Sequence, residues 1–255
     1  MKKFIIIIIG SLFLGCGEEF LERSSLTSIA ENNFWQSEAD ARLGLNAIYS
    51  QLQGDGLYGG NLNGVIGFPH FDVISDNAYN QWEWEGGAQF MEGTLDPTAG
   101  LFGGRWNGIY SGISKANIAI DEISEMDESL IDAETKNNYI GQAMFLRALY
   151  YEEVPLITSY QTLEEAYVPK NSYQEINDQI IEDLLFAIDH LPEQHDSGLY
   201  GYATKGAALA LLSRVQLYNK VYEGPNGVLE LTQELLGLGY SLHPNYGQLF
   251  SIEGE

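Results

Sequence analysis

The sequence predicts an all-α fold: a tetratricopeptide-like helical repeat, an α-α superhelix, broken by one long Gly- and aromatic-rich loop insertion. Three observations predict it. Apolar residues recur at helical spacing in six segments. The last three of these segments begin roughly 25–30 residues apart, the spacing of helix–turn–helix repeats, although the tetratricopeptide consensus residues are not met. Between the first and second segments, residues 54–104 are dense in Gly and show no helical period.

The first helix is announced by Ser37-Glu38-Ala39-Asp40, a Ser for the orphan amides with an acid three residues on. Leu45, Ile48, Tyr49 and Leu52 follow at helical spacing, and Gly54 stops the run. In the second helix Trp106, Ile109, Tyr110, Ile113, Ala116, Asn117, Ile120 and Ile123 form one continuous stripe, expected to be buried. The third, near 130–152, places Tyr139, Ala143, Leu146 and Tyr150 on one face. Val154-Pro155 is expected to end it, since a residue before Pro is pushed out of the helical region.

The fourth opens with a capping box, Ser172-Tyr173-Gln174-Glu175. Its apolar face is Ile176, Ile180, Ile181, Leu184, Leu185, Ile188 and Leu191, and Pro192 closes it. The fifth, near 203–221, carries small residues that let a neighbouring helix approach closely: Ala203, Gly206, Ala207, Ala208 and Ala210. The sixth, near 226–238, ends at Gly239.

The chain of 255 residues is long enough for a sizeable core. Its 12 Lys+Arg against 36 Asp+Glu give a net charge of -24, which repels phosphate backbones and excludes nucleic acid as a partner. A single cysteine, Cys16, excludes an intramolecular disulfide framework and Cys-rich metal sites.

Cys16 matters for another reason. Lys2 and Lys3 precede an apolar run from Phe4 to Leu14, too short to span a bilayer but suited to a signal peptide. Gly15-Cys16 behind that run reads as a lipoprotein cleavage site, with the Cys16 thiol lipidated; the alternative is a plain secretory signal with an incidental Cys. Acyl chains anchor firmly, at ~0.8 kcal/mol per buried CH₂. Residues 1–15 are thus the expected signal peptide, 16–36 the lipid anchor and tether, and 37–255 the helical domain, with the insertion at about 54–104. Gly17-Glu18-Glu19 after the Cys fits a surface-export signal, or an ordinary solvated tether.

Catalytic signatures are missing from the sequence. There is no G-x-x-x-x-G-K-S/T, no G-x-S-x-G and no H-E-x-x-H, and His70, His190, His195 and His243 are scattered. No metal and no cofactor are expected. Acidic pairs such as Glu152-Glu153 and Glu182-Asp183 read as solvated helix faces, not as a glycosidase pair. The informative stretch runs from Asp76 to Glu85. A sugar offers apolar C–H faces and a rim of hydroxyls, so its site wants flat rings together with carboxylates or amides. Asp76, Asn77, Tyr79, Asn80, Trp82 and Trp84 supply both and are the ligand-binding candidates. The same residues are also compatible with Trp82 and Trp84 pinning the loop onto the helices, or with a short strand burying one face.

With these residues in view, the chain resembles the SusD/RagB family of outer-membrane nutrient-binding lipoproteins. The resemblance is carried by Cys16 with Phe20-Leu21-Glu22, Asn33-Phe34-Trp35, Ala39 to Tyr49 and Trp106 to Asn117. It continues through Phe145-Leu146-Arg147-Ala148-Leu149-Tyr150-Tyr151, Val154-Pro155-Leu156-Ile157, Ile181-Glu182-Asp183-Leu184, Leu191-Pro192 and Ala203 to Ala208. Gly239 to Leu242, Asn245-Tyr246 and Leu249-Phe250 close it. The resemblance implies a helical repeat scaffold at the outer membrane. It implies binding of a glycan, or sometimes a peptide, and delivery to a SusC-like TonB-dependent transporter without catalysis. It also implies a chain about twice as long, so that these residues correspond to the N-terminal half and the ligand site is half-built. Affinity is then expected at the millimolar scale, ~4 kcal/mol. A helical scaffold that docks to a partner protein without binding ligand is the alternative.

Overall fold

The computed structural model describes residues 34–54, 57–61, 65–67, 92–94, 100–151, 171–196, 199, 201–241 and 244–250. The chain divides into two compact units, Met1–Gln36 and Ser37–Glu255. In the first, the described residues are 34–36, where the Phe34 and Trp35 rings meet edge to face at 4.9 Å.

The second unit is helical. Six α-helices occur among the described residues: α1 (Glu38–Leu52), α2 (Gly100–Glu125), α3 (Ala133–Tyr151), α4 (Tyr173–His190), α5 (Lys205–Tyr218) and α6 (Val228–Gly237). A short antiparallel hairpin, β1 (Gly59–Asn61) and β2 (Val65–Gly67), stands between α1 and α2, and a 3-10 turn covers Tyr246–Phe250. From α2 onward each helix packs on the next, and α1 packs on both α2 and α3. That nearest-neighbour pattern is the one expected of a helical repeat.

The helix starts follow their capping residues. Ser37 Oγ accepts from the Asp40 N–H at 3.3 Å and donates to Asp40 Oδ2 at 2.6 Å. Asp132 Oδ1 accepts from the Glu134 and Thr135 N–H groups, each at 3.0 Å, which opens α3. At α4 the capping box is complete: Ser172 Oγ accepts from the Glu175 N–H, and Glu175 Oε2 accepts from the Ser172 N–H at 2.7 Å. Hydrogen bonding to its charged form holds the exposed Glu175 carboxyl below the usual range. Thr204 caps α5 in the same way, through the Ala207 N–H.

The core is made by the expected faces. Leu45, Ile48, Ile109, Ile113, Ala116, Ile120, Ile123, Leu146, Leu184, Ile188 and Leu212 are buried. Small residues permit two close approaches. A Cβ on Gly112 would lie 2.5 Å from the Tyr150 ring, and one on Gly206 would lie 2.5 Å from Tyr240.

Three expectations need correction. Trp106 does not continue the buried stripe: it is 49% exposed, because it lies in the early turns of α2, beyond the buried run that begins at Ile109. Helix α2 also begins at Gly100, so residues 100–104 are helical and not loop. Asp183 is not on a solvated face: it is fully buried, while its neighbour Glu182 is exposed. The expected stop at Val154-Pro155 lies outside the described residues.

Asp183 belongs to a polar cluster that ties three helices together. Arg147 of α3 donates from Nε to Asp183 Oδ2 at 2.8 Å and from Nη2 to Asp183 Oδ1 at 2.7 Å. Its Nη1 donates to Asn117 Oδ1 of α2 at 2.8 Å, and Gln179 Nε2 donates to Asp183 Oδ1 at 2.9 Å. Burial raises the Asp183 pKa, and the guanidinium fork and the amide work against that shift by holding the carboxylate charged. Sequence periodicity puts Asn117 within the apolar stripe; its acceptor oxygen faces a guanidinium there.

Candidate functional site

The described surface of functional interest is where the insertion leaves α1 and rejoins α2. After Leu52 the chain doubles back: the Leu57 N–H donates to the Gly54 carbonyl at 2.9 Å, and the Tyr58 N–H to the Leu52 carbonyl at 3.1 Å. This turn drives Leu57, 1% exposed, against α2 at Gly108, where an added Cβ would lie 3.1 Å from Leu57 Cγ. Gly59 sits so tightly on the Gln53 backbone that any side chain would overlap the Gln53 carbonyl. The hairpin then pairs Gly59 with Gly67 and Asn61 with Val65, and β2 packs on α2. The end of α1 is tied to α2 by Gln51 Oε1, which accepts from Lys115 Nζ at 2.6 Å and from Ser111 Oγ at 3.2 Å.

This base carries exposed aromatic rings. Phe102, Trp106 and Tyr110 recur every fourth residue and so share one face of α2. Phe102 is 42% and Trp106 49% exposed, and the half-buried Tyr110 ring lies 4.9 Å from the Trp106 ring at an interplanar angle of 55°. Burial raises the pKa of the Tyr110 hydroxyl, which therefore stays protonated and able to donate. Tyr58 presents its ring nearby, with Arg105 Cζ 5.9 Å from the ring centroid. Flat, part-exposed rings with a phenolic donor suit the C–H faces and hydroxyls of a sugar.

The sequence candidates Asp76, Asn77, Tyr79, Asn80, Trp82 and Trp84, and the lipidation candidate Cys16, lie outside the described residues. Sequence reasoning missed the Phe102–Trp106–Tyr110 row because it assigned Trp106 and Tyr110 to the core and Phe102 to the loop. The four-residue spacing was the available signal. The described histidines serve the backbone: His190 Nδ1 donates to the Phe186 carbonyl at 2.8 Å, and His195 Nε2 to the Ala203 carbonyl at 2.7 Å. Among the described residues no three His, Cys, Asp or Glu side chains gather in a set able to hold a metal ion.

Known proteins place this architecture. A SusD-like family described as starch-binding and associating with the outer membrane matches residues 19–217. A SusD-like protein of Bacteroides ovatus is 27% identical over 100% of this chain and 47% of its own. A SusD-like protein of Formosa agariphila is 28% identical over 90% of this chain and 46% of its own. The chain thus spans about half the length of the curated relatives it matches. Among solved structures, a SusD-like protein from Bacteroides fragilis superposes with a TM-score of 0.69 at 29% identity, covering 86% of this chain and 42% of that one. A laminarin-binding SusD-like protein superposes with a TM-score of 0.72 at 26% identity, covering 86% and 49%. The family match covers most of the chain, and solved relatives superpose on its helical fold: the chain belongs to the SusD-like family.

Proposed function

We propose that the chain is the helical part of a cell-surface lipoprotein that binds a glycan, or another nutrient oligomer, and delivers it to a SusC-like TonB-dependent outer-membrane transporter. The family description, starch-binding at the outer membrane, and the laminarin-binding relative support the ligand class. The observation that carries the reading is the exposed row of Phe102 and Trp106, with Tyr58, at the root of the insertion. The insertion itself adds Tyr79, Trp82 and Trp84 as stacking rings and Asp76, Asn77 and Asn80 as hydroxyl partners. Residues 1–15 act as signal peptide, Cys16 carries the lipid and residues 16–36 form the tether. The task is binding, without bond-making chemistry.

Titration of the full chain with laminarin- and starch-derived oligosaccharides, followed by Trp fluorescence, tests the ligand. Trp82→Ala, Trp84→Ala or Trp106→Ala should weaken binding about tenfold, ~1.4 kcal/mol. Binding that all three variants retain unchanged puts the site elsewhere. Absence of oligosaccharide binding, with transporter still co-purifying, favours the docking-scaffold reading. Cys16→Ala should release the protein from the membrane fraction; retention there refutes the anchor.

A further inference from the structure

We propose that the exposed face of α5 and α6 is a self-association surface whose occupant is a second copy of this chain. The inference is independent of the ligand reading above. Tyr173, Leu217, Tyr218, Tyr222, Leu229 and Leu236 are between 52% and 77% exposed. They gather at one end of the helical unit. The Tyr173 hydroxyl donates to Asn219 Oδ1 at 3.0 Å, next to Tyr218 at the close of α5. The Leu229 N–H donates to the Tyr222 carbonyl at 3.0 Å, where α6 begins. Leu229 and Leu236 lie seven residues apart and so share one face of α6. Single apolar residues on a surface need no explanation, whereas a gathered set marks a contact site. The three tyrosines alone expose roughly 300–500 Å². A standard interface takes ~800 Å² from each partner, and the leucines add toward that figure.

Two further observations select the occupant. The first is position. Helix α6 is the last α-helix among the described residues; it packs on α5 and buries a single apolar side chain, Leu231. The end of a helical repeat stack stays soluble when its outer face is polar. This end offers leucines instead, and what fits it is one more helical layer of the same build. The α5–α6 pair of a second copy provides such a layer, and a two-fold axis makes the contact self-complementary. The second observation is charge. The chain carries a net charge of -24, so most faces of two copies repel each other. Residues 171–196, around α4, hold seven carboxylates and no Lys or Arg. Residues 201–241, which contain α5 and α6, hold three Lys or Arg and three Glu, and so are balanced. Two copies can meet there without net repulsion. A charge-poor, tyrosine-rich surface also has the make-up of an interface core.

The test is sedimentation equilibrium of the full chain carrying Cys16→Ser, so that neither a thiol nor a lipid at that position contributes. The chain should form a dimer and no larger species, with a dissociation constant in the micromolar range or below. Raising salt from about 20 mM to about 300 mM should tighten the dimer, because screening relieves the repulsion between two acidic bodies. Leu229→Glu with Leu236→Glu should weaken association at least about tenfold, and Tyr218→Glu should weaken it independently. Leu43→Glu, at an exposed leucine of α1, should leave it unchanged. All these substitutions fall on exposed side chains, and an unaltered circular dichroism melt checks that the fold is kept. A chain that stays monomeric well above micromolar concentration overturns the inference and leaves the face to polypeptide beyond this chain or to a different protein. A dimer that survives the leucine and tyrosine substitutions unchanged overturns it too, since its contact then lies elsewhere. So does a dimer that loosens as salt rises, since it is then held by charge pairs and not by this neutral face.

Discussion

Removing the Asp183 carboxylate should destabilise the helical unit more than any surface substitution. Asp183 is 0% and Arg147 5% exposed, and the two share a bidentate contact at 2.7 and 2.8 Å. Asp183→Leu leaves the guanidinium buried with its carboxylate gone and takes an acceptor from Gln179. Breaking a buried pair from one side costs ~3–5 kcal/mol. At ~2–4 °C per kcal/mol for a chain of this size, the melting temperature should fall by ~6–20 °C. Arg147→Met combined with Asp183→Leu removes both charges and should cost less than either single change, leaving mainly the Asn117 oxygen without its Arg147 donor, ~1–3 kcal/mol. Urea unfolding followed by circular dichroism on the two single variants and the double variant closes the cycle. Single costs below ~1 kcal/mol, or a double cost equal to their sum, would refute the claim that these side chains act as one buried unit.

Gly112→Ala should destabilise by ~1–3 kcal/mol in the same assay, because the new methyl meets the Tyr150 ring; an increase in stability, the ordinary result for Gly→Ala within a helix, would sink that packing argument. Ile113→Ala should cost ~2–5 kcal/mol, given its 1% exposure, and a neutral result would place Ile113 outside the core. Glu175 has a folded-state pKa below 4.5, so its stabilising contribution is fully present above pH 4.5 and is lost as pH falls through the folded value. Glu175→Gln keeps the capping geometry without the charge, so stability measured from pH 7 down to about 3 should fall less steeply than in the parent; parallel profiles would remove Glu175 from the acid response.

The helical scaffold was legible because its signals are local. Ser37 and Ser172 announce their helices through side chains that bond within three residues, and the apolar faces of α2 to α4 repeat at the helical period. Long-range pairing was not legible. Asp183 stands at helical spacing from Ile176, Ile180 and Ala187, on the inward face, but its partner is 36 residues away, and an adjacent Glu182 made the pair look solvated. Trp106 shows the opposite failure. Its spacing matches the core stripe, yet periodicity says only which face a residue shares, not whether a neighbour reaches that far along the helix. The root of the insertion was hidden for a related reason: Leu57 is seated by a turn and by Gly108 of a distant helix, and neither has a period.

The joining of α1 to α2 has a consequence for how the insertion between them can change over time. The two helices are held by direct packing and by the Gln51–Lys115 and Gln51–Ser111 bonds, Leu57 and the hairpin seat the start of the insertion on α2, and the chain from Gly67 to Gly100 closes the connection. Doubling the length of such a loop raises its closure cost by only ~0.6 kcal/mol. Changing the length of the stretch between Gly67 and Gly100 therefore costs the scaffold less in loop closure than losing a single core methyl-bearing side chain does, whereas Leu57 at the start of the insertion is itself a core residue. Under the proposed glycan-binding function, selection for a new ligand can then act on the length of that stretch almost independently of selection for folding, with α1 and α2 as the fixed socket.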